Sequence, residues 1–436
     1  MKLKLACSAM ALSLSIGLVL PAAAIELNIF GPSGESVLGG RLAPEVREPI
    51  LEEIYAGFMA ENPDVTAIKW DYQGNQDTAI QRLMTARLAG QPMDILFCTG
   101  TLTNGNYVNA GIVKPIDEVV APFADRFRPE ALGDYTVGGH LYAVPLSDMS
   151  SSGVYYNVDL FAKLGIEPPT TYEELLAISA KIEEAGVQPL IHQGANAVMW
   201  PMWYFQMFYQ ASEDPIGKTM SNLAGTTRFT DAPDVEAFRL IQRWVEDGIL
   251  SRDSLSVDRD GMRAAFANGQ SAMYFGGTWE IPPLLRNVKD FEWSVFPFPQ
   301  MPDVPSQARS GGGADRALCI PSGITPEREA VAAKFLEYVS RPEIAALYLT
   351  PEAPLYTSVK GIEGSNVPGA EVFREQIFPT NTKFLDWVWP TAVTRAVASA
   401  VAGVVAGQLT PEAAAESVQS AYDQLVASGD WTPPQP

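Results

Sequence analysis

Apolar positions along this chain keep switching between two rhythms. Ile25-Glu26-Leu27-Asn28-Ile29-Phe30 alternates apolar and polar residues, the period of a strand, and stops at the turn Gly31-Pro32-Ser33-Gly34-Glu35. Residues 50–59 then carry apolar side chains at helical spacing, ended by Asn62-Pro63. A second strand is predicted over 65–72, a second amphipathic helix over 77–88, and a buried third strand in Pro92-Met93-Asp94-Ile95-Leu96-Phe97-Cys98. That strand breaks at Thr99-Gly100-Thr101. Strand–helix alternation of this kind predicts a mostly parallel sheet with helices on both faces. Ligands of such sheets gather where the strands end. Ser33, Gly34, Glu35, Thr99 and Thr101 are therefore candidate ligand residues.

The stretch 142–161, YAVPLSDMSSSGVYYNVDLF, interrupts the rhythm with a patch of small hydroxyl residues, Ser147 to Gly153. It then resumes as the strand-like Val154-Tyr155-Tyr156-Asn157 and a helix opened by Asp159. A hydroxyl-rich break between buried strands is poor core material and suits contact with a polar ligand; an ordinary surface loop is the alternative. Asp148, Ser150 and Ser151 are the candidates it supplies. Thr171 followed by Glu174 predicts a capping box at the start of the next helix.

Residues 193–212, QGANAVMWPMWYFQMFYQAS, form the densest aromatic segment, mostly at helical spacing and so mostly core. Trp200, just ahead of Pro201, and Asn196 are the residues expected to face a cleft. Further on, a helix over 260–268 leads through Gly269 to a short strand and then Gly276-Gly277-Thr278-Trp279. The glycine pair lets the backbone bend and approach closely, and Trp279 offers a flat apolar ring beside polar groups. Such a ring can stack on the C–H face of a sugar, worth on the order of 0.5–1.5 kcal/mol beyond area burial if it behaves like aromatic stacking; a core-packed indole is the alternative. Ser310-Gly311-Gly312-Gly313-Ala314-Asp315-Arg316 is glycine-rich but lacks the phosphate-loop pattern and precedes a strand, not a helix. Phe384 to Pro390 is a second aromatic cluster, holding Trp387 and Trp389.

Composition narrows the class. At 436 residues the chain exceeds what one core usually supports, so two domains are expected. The formal charge of −21, with no Lys/Arg cluster, argues against nucleic acid. Lys2 and Lys4, the apolar run Leu5–Leu20 and Pro21-Ala22-Ala23-Ala24 form a leader pattern predicting cleavage after Ala24 and an exported chain. Of three cysteines, Cys98 and Cys319 follow the leader; two buried thiols or one disulfide both fit. Cys and His are too few for a zinc site, and no cofactor is expected.

These segments, in this order, resemble the extracellular solute-binding proteins of carbohydrate ABC transporters, the maltose-binding-protein-like group. PMDILFCTG, GHLYAVP with GVYYNVDLFAKLGIEPPTTYEELL, FANGQSAMYFGGTW, RALCIPSGITPEREAVAAKFLEYVSRPE and AGQLTPEAAAESVQSAYDQL carry the likeness, over roughly Ile25 to Gly429. The resemblance implies a two-lobed α/β fold, the type II periplasmic-binding-protein fold, with a ligand cleft between hinge-linked lobes. Crossings are expected near Pro145, Gly312 and Ser358. Lobe one would hold 25–146 and 312–358, and lobe two 147–311 and 359–436. The cleft would combine the residues above with Trp279, Gly312, Gly313, Asp315, Arg316, Trp387 and Trp389. By the same resemblance the protein is a periplasmic monomer that captures a sugar, glycoside or polyol by closing and delivers it to an ABC permease. Cys98 stands where maltose-binding relatives carry a tryptophan, and the polar residues of the 147–152 patch are Asp and Ser rather than Glu, which turns the expectation away from maltodextrin. Arg316 beside Asp315 either neutralises its neighbour or meets an acidic sugar.

Two other classes share these features. A secreted glycoside-cleaving enzyme would use Asp148 and Glu280 as its carboxylate pair. A sugar sensor would use the same fold for signalling.

Overall fold

The computed structural model describes residues 24–433 except 32–37, 40–41, 72–78, 101–106, 148, 196, 353–354, 356, 363, 365, 430 and 432. Its strands are β1 (Ile25–Phe30), β2 (Val65–Asp71), β3 (Ile95–Thr99), β4 (Thr136–Val137), β5 (His140–Leu141), β6 (Val144–Pro145), β7 (Met149–Asn157), β8 (Gln188–Ile191), β9 (Ser271–Gly277), β10 (Trp293–Phe296), β11 (Ser310–Ala314), β12 (Arg316–Cys319) and β13 (Asn381–Lys383). They build two large sheets and a small hairpin of β4 and β5. The first sheet runs β2-β1-β3-β12-β6, and the second runs β13-β11-β7-β9-β8, with β10 pairing the far half of β7.

The β2-β1-β3 part of the first sheet is parallel, as the alternation predicts, but β12 pairs antiparallel with both β3 and β6, and antiparallel pairs on β7 dominate the second sheet, because the crossing strands return beside the strands they continue. β1 lies parallel between β2 and β3, and its inward residues Leu27 and Ile29 are buried. The helix Pro44–Glu61 begins earlier than the apolar spacing suggests, because Pro44 sits in its first turn, where a missing N–H costs nothing. Asp94 accepts from the Asn28 N–H at 2.7 Å and pairs with Arg328, fixing the helix Pro326–Val339 to this sheet. A separate core covers each sheet. One is built on Leu27, Ile29, Phe97 and Phe335, the other on Trp203, Phe238, Trp244 and Phe275 with a satellite around Tyr155 and Tyr274.

The chain passes between the sheets along two strands lying side by side. β6 of the first sheet continues after a few residues into β7 of the second, and β11 of the second continues through Asp315 into β12 of the first. Ala317 pairs with Pro145 on one side of the crossing, and Ala314 with Met149 on the other. Between them Leu146 N–H donates to the Arg316 carbonyl at 3.1 Å, and Arg316 N–H donates to Ser147 Oγ at 3.0 Å. Gly312 pairs with Ser151 inside the second sheet, so the change of sheet falls at Asp315 rather than at Gly312. The third crossing also lies later than Ser358. Ser358 N–H donates to the Ser147 carbonyl at 2.9 Å, and Val359 and Ile362 belong to the first core; Leu355 already touches the satellite core of the second sheet, to which the chain returns at Val367.

The serine patch is not a loop. Met149 to Asn157 is one strand of nine residues, with Ser150, Ser151 and Ser152 buried in it. Its partners at these positions are Gly312, Gly313 and Gly277, which have no side chains to oppose the hydroxyls. Small residues on both sides let the strands close up, a pairing the apolar pattern does not reveal.

Cys98 and Cys319 are joined as a disulfide with Cα atoms 6.2 Å apart, clamping β3 to β12 across a separation of 221 residues. Cross-linking so distant a pair removes much freedom from the unfolded chain, roughly 2–4 kcal/mol in typical cases. Reduction, or the double change Cys98→Ser and Cys319→Ser, is expected to lower the denaturant midpoint of the first lobe. An unchanged midpoint by circular dichroism would mean the bond adds nothing.

Candidate functional site

The two sheets meet at a row of aromatic rings. Trp279 follows β9 in a single 3₁₀ turn, Thr278–Glu280. Its ring lies on Gly277, where a Cβ would overlap it, and its centroid is 6.3 Å from Phe384. Phe384 in turn meets Trp387 edge to face at 5.3 Å. Trp387 reaches across the boundary. A Cβ on Gly100, just past β3 of the first sheet, or on Gly313 in the crossing strand would overlap its ring. Gly313 holds φ +144, a conformation that side chains rarely adopt. Trp387 thus belongs to the second core yet rests on the first sheet's strand end, one of the contacts between the two units.

Behind this row the crossing strands carry a buried hydroxyl network. Ser151 Oγ lies 2.8 Å from Ser310 Oγ and donates to Asn381 Oδ1 at 2.7 Å. Gln206 Nε2 donates to Ser152 Oγ at 3.1 Å, and Ser310 Oγ donates to the Ser152 carbonyl at 2.9 Å. Each hydroxyl is answered within the protein, as buried polar groups require. Ser151 therefore joins strands and does not present its hydroxyl to a ligand; Ser150, equally buried, pairs in register with Gly313.

A cavity of about 350 Å³ opens beside the crossing, lined by Glu130, Asp134, Gly313, Arg374, Asn381 and Lys383 among others. Asp134 ends the helix Pro129–Asp134 and accepts the Ala314 N–H at 2.7 Å. Lys383 Nζ, on β13, is 3.7 Å from the Asp134 carboxylate and donates to the Gly133 carbonyl at 3.3 Å. Burial pushes the Asp134 carboxyl up to about 6, against the opposing pull of Lys383 and the Ala314 N–H.

The residues expected from sequence divide clearly. Ser33, Gly34, Glu35, Thr101, Asp148 and Asn196 lie outside the described residues. Thr99, Gly312, Gly313, Asp315, Arg316 and Trp387 gather at the boundary between the sheets, while the ring contacts of Trp279 are with Gly277 and Phe384 of the second unit. Gly312 is there for packing, since a Cβ would strike the Ser150 carbonyl and the Asn381 side chain. Arg316 is buried opposite Thr99. Trp200 is not in the cleft. It is 1% exposed, its indole N–H donates to the Gly194 carbonyl at 2.9 Å, and it packs on His192, which burial holds neutral with its pKa pushed down to about 3. Trp389 is likewise core, packed on Tyr204 and Phe205. Phe384, Gly100, Asp134 and Lys383 were not among the expected site residues. The first two lie in segments the sequence marks, an aromatic cluster and a Thr-Gly-Thr break, while nothing local marks the Asp134–Lys383 pair, 249 positions apart.

Glu280 does not suit acid–base work. It is fully buried and receives two bonds from Arg263, at 2.7 Å from Nε and 3.0 Å from Nη2. Among the described residues no cluster of three metal-ligating side chains occurs, and no helix is long and apolar enough to cross a membrane.

A family model described as bacterial extracellular solute-binding protein matches residues 53–366. A binding protein of Brucella abortus is 28% identical over 262 residues, covering 58% of this chain and 60% of that protein's length. The sn-glycerol-3-phosphate-binding periplasmic protein of Escherichia coli is 26% identical over 394 residues, covering 85% of this chain and 84% of its own. Among solved structures, a chitin oligosaccharide binding protein superposes with a TM-score of 0.78 at 22% identity, over 93% of this chain and 99% of that one. That likeness speaks for a shared fold.

Two substitutions probe the site. Gly100→Val places an isopropyl group where Trp387 rests and is expected to lift that ring into water. A red-shifted tryptophan emission with unchanged far-UV circular dichroism is the expected result; unchanged emission would show that the ring does not rest on Gly100. Glu280→Gln removes the buried counter-charge of Arg263, leaving it only the exposed Asp260 at 3.8 Å, and should destabilise by roughly 3 kcal/mol in urea unfolding, while ligand binding survives.

Proposed function

As this chain belongs to the bacterial extracellular solute-binding proteins, we propose that it is the periplasmic capture subunit of an ABC importer for a sugar or sugar derivative. The observation that carries the reading is Trp387 of one sheet resting on Gly100 of the other across paired crossing strands. Two units with separate cores, joined by two strands and one loop, can rotate against each other at small cost. A ligand shifts that equilibrium only if it contacts both units in one arrangement and not in the other. The strand end at Thr99-Gly100 and the row Trp279–Phe384–Trp387 offer such a two-sided contact.

Carbohydrate is the ligand class the site supports. Aromatic rings flanked by glycine backbone suit the C–H faces of a sugar, and the solved neighbour of the same fold is named for a chitin oligosaccharide. The moving units would be 25–147 with 315–362, and 149–314 with the chain from 367 onward. The protein would reach the periplasm through the leader at residues 1–24, and its closed form would dock on a permease. A polyol phosphate is the second reading, favoured by the Escherichia coli relative that covers most of the chain. Glu280, paired with Arg263, leaves the glycoside-cleaving alternative without the acid assigned to it.

A thermal-shift screen of the mature protein tests this directly, with oligosaccharides, monosaccharides, polyols and sn-glycerol 3-phosphate as arms. A ligand at a hundredfold its dissociation constant should stabilise by about 2.7 kcal/mol. Trp279→Ala is expected to weaken a carbohydrate hit at least tenfold. Stabilisation by the phosphate alone would select the second reading, and no stabilisation by any arm would remove both.

A further inference from the structure

The Asp134–Lys383 contact joins the two units at their pivot. Asp134 lies on a helix whose neighbours Ala131 and Tyr135 belong to the first core, and Lys383 lies on β13 of the second sheet. The cover over the carboxylate also comes from the second sheet. β11 runs so close that a Cβ on Gly313 would strike Asp134 Oδ2, and the Ala314 N–H points into the carboxylate. The adjoining cavity has walls from both units, so its shape depends on the angle between them. We propose that Asp134 is a proton-binding site that couples pH to the position of the lobes, acidification favouring the arrangement described above. This rests on the reading that the lobes move against each other to capture a ligand.

The charges around the site set its direction. Glu130, four residues earlier on the same helix, opposes ionisation of Asp134, and Lys383 supports it. Arg374 lines the same cavity. Asp315 and Arg316, just past β11, and Asp134 itself all act on the buried Tyr135 hydroxyl beside it. β6, which also packs here, brings no ionisable side chain. Burial outweighs the favourable partners, so the carboxyl holds its proton up to about pH 6 in this arrangement, against an ordinary value of 3.8. Drawing the second sheet away admits water and returns it toward the ordinary value. A site with the higher pKa in one state favours that state as pH falls through that pKa. If the full shift is lost on opening, the ratio of this form to the open one rises about tenfold between pH 7 and pH 5.

Small-angle scattering of the ligand-free protein tests the coupling without needing any sugar, so a failed ligand screen leaves it intact. The radius of gyration is expected to fall between pH 7 and pH 5 with a midpoint near 6. Asp134→Asn should flatten the profile at the compact value. Lys383→Gln removes the group that lowers the Asp134 pKa and should move the midpoint to higher pH, which keeps the test decisive if the first variant does not fold. A radius independent of pH, a change of opposite sign, a wild-type profile in Asp134→Asn, or an unmoved midpoint in Lys383→Gln would each overturn the proposal.

Discussion

Two strands must pass side by side from one sheet to another while remaining hydrogen-bonded, and the rest of this structure is arranged around that requirement. The sequence meets it with Ser150-Ser151-Ser152 on one strand and Gly311-Gly312-Gly313 on the other. Larger side chains would hold the strands apart or fill the space that Trp387 and Asn381 occupy. The hydroxyls are then buried, and burial without partners would cost about 1–3 kcal/mol each. Ser310, Asn381 and Gln206 supply those partners for Ser151 and Ser152. A junction this narrow leaves each lobe with its own core.

The boundary is closed from one side by aromatic surface and set on the other by charge. Trp387 buries its ring on two glycines, and full burial of so large a side chain contributes on the order of 2–3 kcal/mol. Only the part of that burial made against Gly100 acts between the lobes, because Gly313 and the core around Trp387 belong to the second one. The first lobe is cross-linked within itself by the Cys98–Cys319 bond and the Asp94–Arg328 pair.

Much of this was legible in the residues. Alternation in Ile25–Phe30 and the apolar run before Cys98 place β1 and β3 correctly, because strands in a covered sheet are set by local pattern. The capping box at Thr171 and Glu174 forms as spelled. Trp279 follows its glycine pair in a 3₁₀ turn directly after β9. The misplacements share a cause: they depend on partners distant in sequence. Ser147–Gly153 looks like a loop until Gly311–Gly313 is laid against it. Trp200 looks free for a cleft until Gly194 and His192 enclose it. Glu280 resembles a catalytic acid until Arg263 arrives from the preceding helix. Asp134 and Lys383 could not be paired by any rule that reads neighbours along the chain.

Capture by closure requires the two lobes to change their angle when a carbohydrate binds. Leu88, 87% exposed on the first lobe, and Leu285, 41% exposed on the second, are suitable positions for paired spin labels introduced as Leu88→Cys and Leu285→Cys. The distance distribution between them, measured with and without a saturating sugar found by screening, tests the claim most directly. Two populations in the free protein, or one broad one, collapsing to a single narrow distance on binding is the predicted result. A distribution unchanged by a sugar that demonstrably binds would contradict capture by closure.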